Sequence, residues 1–340
     1  MTKPFNIGVI GAGNIGTAMA ALLSQSDAQV WLTARGNRLA QITQDGVQLN
    51  DRGNVISARP NTCEHLIQPM DALFVCVKSQ GLISAIQINR AAITKDTLVI
   101  PMVNGLPFWF YADARGFGAA SILDPDGALS ALLSPKQVLG AVLLMTVQTD
   151  TAGQAHSSNT PTLSLGAVCE GADQGRIETL ITLLEQGGVR TDFHPDIRQK
   201  VLVKLLANFA TNPLSALTGA MLNEIGQTPA LCDISTALAD EFRDWAETEG
   251  YSLPPNQWLT DLLIDAGAFP TSMLQDALAG KPLELEAICR APMAFAKTKG
   301  KAMPVLQALL DLIQGAHSIP LPQAQVPTAI QTLRTPVTTT

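Results

Sequence analysis

The chain has 340 residues, 46% hydrophobic and only 15% charged, a balance that supplies large buried cores and excludes disorder over most of the length. One core rarely organises more than about 250 residues, so two domains are expected. A formal net charge of −7 with no basic block excludes a nucleic-acid groove or an anionic membrane surface as partner, and leaves a small soluble ligand.

In chain order, Asn6 to Ile10 reads as a first strand so close behind Met1 that no leader segment fits before it, and a cytoplasmic location is expected. Gly11-Ala12-Gly13-Asn14-Ile15-Gly16 follows at once, then a helix over Ile15 to Gln25. Further strands are predicted at Gln29 to Thr33, Ala72 to Val77 and Thr97 to Met102, with helical stretches between them, the alternation of βαβ units around a parallel sheet. Val138 to Thr146 and Thr162 to Leu165 read as strands that extend this sheet at its edge, joined by a polar, turn-rich stretch from Thr149 to Pro161. Gly187 to Phe193 is the last strand-like segment.

From Asp196 the pattern is helical, with periodic stretches at Asp196 to Thr218, Thr228 to Glu249 and Pro304 to Ile313. Pro213 has no N–H to give to the carbonyl of Phe209, so a kink or helix boundary is expected there. The expected division is therefore residues 1–195, residues 196–317 and a loosely packed tail at 318–340. Apolar runs such as Leu73 to Val77 fall far short of the ~20 residues that a membrane span needs. Five cysteines, an odd number without a CxxC pair, give neither a zinc site nor a disulfide framework, and four scattered histidines make no metal site.

GxGxxG is a weak motif alone and a strong one between a strand and a helix at the start of a βαβ unit. There Gly11 permits a tight turn, Gly13 lets backbone approach a pyrophosphate and Gly16 lets helix and strand pack closely, while Ala12, Asn14 and Ile15 supply the free N–H groups of the helix N-terminus. The fold class expected is α/β, a Rossmann-type doubly wound sheet followed by an all-helical carboxyl-terminal domain. At the end of the second strand, where an NAD enzyme places a carboxylate for the ribose hydroxyls, the chain reads Thr33-Ala34-Arg35-Gly36-Asn37-Arg38. A guanidinium binds a 2′-phosphate that a carboxylate would repel, so Arg35, with Arg38 in support, points to NADP. Lys78 and Asn104, just past two other strands, sit where open α/β sheets bind ligands, although a solvated lysine and an ordinary Asn-Gly turn are equally good accounts of them.

Within the helical half, Lys204, Asn208, Thr211, Asn212 and Ser215 interrupt an otherwise apolar run at offsets that put them on one face. Such a narrow stripe suits a polar pocket. A lysine in apolar surroundings has its pKa lowered toward the working pH and can act as a general acid. Asn208 and Asn212 can donate to a carboxylate or accept from a hydroxyl. On these residues alone a surface lysine with core amides stays open. Glu284, inside the apolar stretch after Thr271-Ser272-Met273-Leu274-Gln275-Asp276, is a candidate partly buried carboxylate, and a plain surface glutamate stays open on these residues alone.

Taken together, GAGNIG, the ARG after the second strand, Val77-Lys78, Asn104-Gly105, KLLANFATNPLSALTG and TSMLQD followed by Glu284 resemble the ketopantoate reductase family over about residues 6 to 310. The resemblance implies NADPH as hydride donor, a small 2-oxo acid as substrate held between a Rossmann and a helical domain, and D-pantoate as product. It implies Lys204 as catalytic general acid, Glu284 as the carboxylate that positions substrate and cofactor, Asn208, Asn212 and Ser272 as substrate-binding positions, and Lys78 and Asn104 near the nicotinamide. A homodimer is compatible with it. The chain departs from the family at Leu202, where many members carry a tryptophan, in the aromatic Pro107-Phe108-Trp109-Phe110, and after Glu284. A reductase of another 2-oxo acid, a catalytically silent NADP sensor and an opine-type dehydrogenase are the rival readings.

Overall fold

The computed structural model describes residues 3–118, 122–150 and 152–318. The described residues fall into two compact units divided between Val201 and Leu202, inside one long helix. The expected tail lies, from residue 319 onward, outside the described residues.

The first unit begins with β1 (Asn6–Ile10), α1 (Asn14–Leu23), β2 (Gln29–Thr33) and α2 (Gly36–Asp45). A run of short strands follows, β3 (Val47–Asp51), β4 (Asn54–Ala58) and β5 (Asn61–Cys63), then β6 (Ala72–Val75), α3 (Leu82–Ile88) and β7 (Leu98–Pro101). Five of these strands make a parallel sheet in the order β5-β2-β1-β6-β7. Its central strands β1, β6 and β7 are apolar almost throughout, as strands covered on both faces must be. Helix α1 is hidden from Gly16 to Leu23, so the small residues Ala18, Ala20 and Ala21 let it lie close on the sheet. This is the Rossmann-like architecture of a doubly wound sheet.

The rest of this unit is α4 (Ala128–Leu132), β8 (Leu139–Leu144), β9 (Val147–Thr149), β10 (Ala155–Ser157), β11 (Thr162–Ala167), α5 (Gln174–Gln186) and β12 (Arg190–Phe193). The order β12-β11-β8 makes a second sheet, and a parallel bridge between Val99 and Val138 carries it on from β7, so the strands expected at the sheet edge are there. The stretch from Thr149 to Pro161, read as loop, instead contains β10, which pairs in parallel with β3 and antiparallel with β9 in a sheet ordered β4-β3-β10-β9. Phe108 and Trp109 pack into the core with Phe117, and Phe110 is buried too, so these aromatics are interior residues of this unit.

Helix α6 (Ile197–Thr218) opens the helical half. Arg198 in its first turn donates to the carbonyls of Phe110, Ala112 and Val168 at 2.6–2.7 Å. Of the kink or boundary expected at that proline, the boundary is absent: the helix continues through Pro213. Its flanking residues are buried on every side, and that burial outweighs the one backbone bond proline forfeits, a penalty of about 3 kcal/mol.

The second unit adds α7 (Leu222–Gln227), α8 (Pro229–Thr248), α9 (Asn256–Asp265), α10 (Ser272–Leu278), a π-helical turn at Glu286–Arg290, α11 (Ala291–Thr298) and α12 (Pro304–Ser318). Its core is aromatic, with the ring of Phe209 of α6 tilted at 49° against Phe242 of α8 at 4.9 Å, and Phe242 meeting Trp245 edge-on at 5.2 Å. Among the described residues no helix is long and apolar enough to cross a membrane.

Candidate active site

Parallel register brings the ends of four strands to one edge of the first sheet. Ile10 is level with Thr33 and Val75, and Val75 with Pro101. Gly11, Arg35, Lys78 and Asn104 each follow one of these strands by one to three residues, so the sheet sets them along one rim. Lys78 and Arg35 are exposed, and Asn104 is half-buried ahead of Gly105 at φ +92°.

The glycine turn is built as a dinucleotide site requires. Gly11 has φ +98°, and a Cβ there would stand 2.8 Å from the carbonyl oxygen of Cys76. A Cβ on Gly16 would stand 1.8 Å from the carbonyl oxygen of Gly11, so helix and turn touch through bare backbone. Gly13 differs: a Cβ there would meet nothing within 4 Å, and its exposed backbone at the mouth of α1 leaves room for a ligand. Half-buried Ala12 and Ile15 flank it, and Gly11 donates to the buried Thr33 hydroxyl at 3.1 Å. The residues present therefore fit a pyrophosphate at the N-terminus of α1. Burial pushes the neighbouring Cys76 thiol up to about 12, so it stays protonated.

Two residues expected at the cofactor are held by protein partners. Asn14 donates to the Val147 carbonyl at 3.2 Å and accepts from the Thr149 hydroxyl at 2.7 Å. Arg38, read from the sequence as support for Arg35, turns back onto the turn and binds protein acceptors. Sequence reasoning missed Thr17, Thr33, Thr149 and Gly153 as parts of this site. Thr33 and Thr17, flanking the glycines as buried hydroxyls, carried a signal; the other two are brought in by a hairpin that has no motif.

In the second unit the polar stripe of α6 runs from half-buried to buried. Lys204 and Asn208 are half-buried, whereas Thr211, Asn212 and Ser215 are buried. Thr211 and Ser215 bond to the carbonyls of Ala207 and Ala220 at 2.7 Å, but the buried Asn212 Nδ2 has no protein partner. A donor in that state calls for an acceptor from a ligand or water. Glu284, only 5% exposed, sits just before the π-helical turn, and its charge acts on Lys204. Burial pushes the Lys204 ammonium down to about 8, and the Glu284 carboxylate opposes that fall. Ser272 is exposed in the first turn of α10, which Thr271 caps by accepting from Leu274 N–H at 3.1 Å. Among the described residues no group of three or more His, Cys, Asp or Glu could hold a metal ion.

Comparison with known proteins places matches along almost the whole chain. Residues 7–169 match the family model Ketopantoate reductase PanE/ApbA, and residues 196–317 match Ketopantoate reductase PanE/ApbA C terminal. A 2-dehydropantoate 2-reductase of Mesorhizobium japonicum is 28% identical over 91% of this chain and 96% of its own. A solved structure from Ralstonia solanacearum superposes with a TM-score of 0.85 at 26% identity, covering 92% of this chain and 97% of the other. D-mandelate dehydrogenase in ternary complex with NADH and anilino(oxo)acetate shares the fold, with a TM-score of 0.77 at 20% identity over 92% of this chain and 98% of its own.

Proposed function

Because the chain belongs to the ketopantoate reductase family, we propose that it reduces ketopantoate (2-dehydropantoate) to D-pantoate with NADPH in the cytoplasm, a step of pantothenate biosynthesis. The observation that carries this reading is the sheltered polar face of α6, where Lys204, Asn208 and the unpartnered amide of Asn212 lie together with the charge of Glu284 acting on the lysine.

A nicotinamide dinucleotide supplies hydride when bound. Gly11, Ala12, Gly13, Asn14, Ile15 and Gly16 offer it the α1 N-terminus, Arg35 takes the 2′-phosphate, and Lys78 and Asn104 serve the nicotinamide end. Lys204 enters the reaction as an ammonium and gives its proton to the keto oxygen as negative charge develops there. Glu284 favours the charged form of that lysine, so the proton is present when it is needed. Asn212 and Asn208 hold the substrate carboxylate and hydroxyl, with Ser272 as a further donor.

The test is loss of NADPH absorbance with purified protein, run with ketopantoate, with a panel of other 2-oxo acids and with NADH. Oxidation that is fastest with ketopantoate and NADPH supports the proposal. Turnover of another 2-oxo acid alone would keep the chemistry and change the substrate, and no turnover with any of them would leave the sensor reading.

A further inference from the structure

Arg38 lies one turn into α2, where its guanidinium meets protein acceptors on several sides. Its Nη2 donates to the Thr17 hydroxyl at 2.9 Å and to the Gly153 carbonyl at 3.2 Å. Nη1 donates to Gln41 Oε1 at 2.8 Å, and Nε reaches the Ala12 carbonyl inside the glycine turn at 3.4 Å. Gln41 in turn donates to the Ala152 carbonyl at 2.6 Å. Asn14 binds the same β9–β10 hairpin at Val147 and Thr149. Gly153 is shaped to this contact: it has φ +82°, and a Cβ there would stand 2.2 Å from Arg38 Nη1. Arg35 is arranged differently, exposed at the N-cap of α2.

We propose that Arg38 is a positioning residue that clamps the glycine turn to the β9–β10 hairpin, and that it does not itself bind the adenosine phosphate of the cofactor. A planar fork with several donors suits this role, since it can hold turn, helix and hairpin acceptors at fixed angles, which a lysine cannot do. The turn is common to NADPH and NADH, whereas the 2′-phosphate belongs to NADPH alone, so the two roles leave different signatures. This inference rests on the proposed dinucleotide site.

The experiment titrates wild type, Arg38→Met, Gln41→Ala and Arg35→Met with NADPH and with NADH by protein fluorescence, and records thermal unfolding of each. Arg38→Met is expected to weaken both nucleotides by a common factor of about ten, with the NADPH/NADH preference unchanged. Gln41→Ala, a milder change that keeps the charge, is expected to weaken both by about threefold, which covers the case in which Arg38→Met does not fold. Arg35→Met should weaken NADPH alone. A loss confined to NADPH in Arg38→Met, or equal affinities in wild type and both α2 variants, would overturn the proposal. Failure of the wild type to bind either nucleotide would instead remove the dinucleotide reading itself, and the proposal with it.

Discussion

Glu284 acts on Lys204 in opposition to burial: the carboxylate raises the lysine pKa that the protein interior lowers, and the balance leaves that pKa at about 8. In the proposed mechanism reduction requires the protonated amine, so kcat/KM for the keto acid should fall as pH rises through about 8, while the reverse oxidation, which needs the free amine, should rise through the same range. Glu284→Gln removes the raising charge and should move the break in both profiles to lower pH. Lys204→Ala should lower turnover by about 10²-fold or more while NADPH binding stays close to wild type. A profile that is flat between pH 7 and 9 would dismiss Lys204 as the proton donor.

The glycines of the turn separate folding from binding. Gly16→Ala drives a Cβ to 1.8 Å from the Gly11 carbonyl and should destabilise the protein by about 1–3 kcal/mol. Gly13 has φ −78° and open space at its Cβ position, so Gly13→Ala should change stability by no more than about 0.5 kcal/mol and weaken nucleotide binding about tenfold. Denaturant unfolding beside fluorescence titration reads both effects.

The second unit has a cap supplied from a distance. Glu241 on α8 accepts from Val305 N–H at 2.6 Å and Leu306 N–H at 3.0 Å, the free donors of the first turn of α12. Glu241→Ala should destabilise the protein by about 1–2 kcal/mol. Burial holds this carboxyl above the usual carboxylate range, so the folded state binds its proton more tightly than the unfolded state does. Stability should therefore drop as pH rises from the ordinary glutamate value through the raised one, and Glu241→Gln should remove that slope.

How much of this was written in the sequence depends on whether local pattern or distant pairing makes each element. Strands β1 and β2 were legible because their residues are apolar and end in a recognisable glycine turn or arginine loop, and α6, α8 and α12 because their apolar residues recur at helical spacing. Strands β3, β4 and β5 were not: β4 (Asn54–Ala58) is largely exposed, and owes its form to pairing with β3. Strands β9 and β10 are three residues each, too short for any period. The polar stripe from Lys204 to Ser215 could be seen, but which of its members remain without a protein partner could not, since that follows from neighbours far along the chain. Nor does a π-helical turn after Glu284 have a sequence signature.

The departure at Leu202 has its own consequence. The side chain is fully buried in α6, so Leu202→Trp should cost about 1–3 kcal/mol through overpacking. A midpoint of urea unfolding equal to wild type would show that the surrounding side chains yield.

Strand β3, made early in the chain, finds its parallel partner only in β10, with Leu49 opposite Ala155 and Asp51 opposite Ser157. On the ribosome the first hundred and fifty or so residues must therefore emerge while one edge of β3 still shows unpaired N–H and C=O groups. Nascent chains arrested before Ser157 lack the strand that covers this edge, and the hairpin that Arg38 and Asn14 hold against the glycine turn is completed at the same moment. On the proposed clamp, competence to bind nucleotide waits until β10 has been made, although the glycine motif itself is among the first segments to emerge.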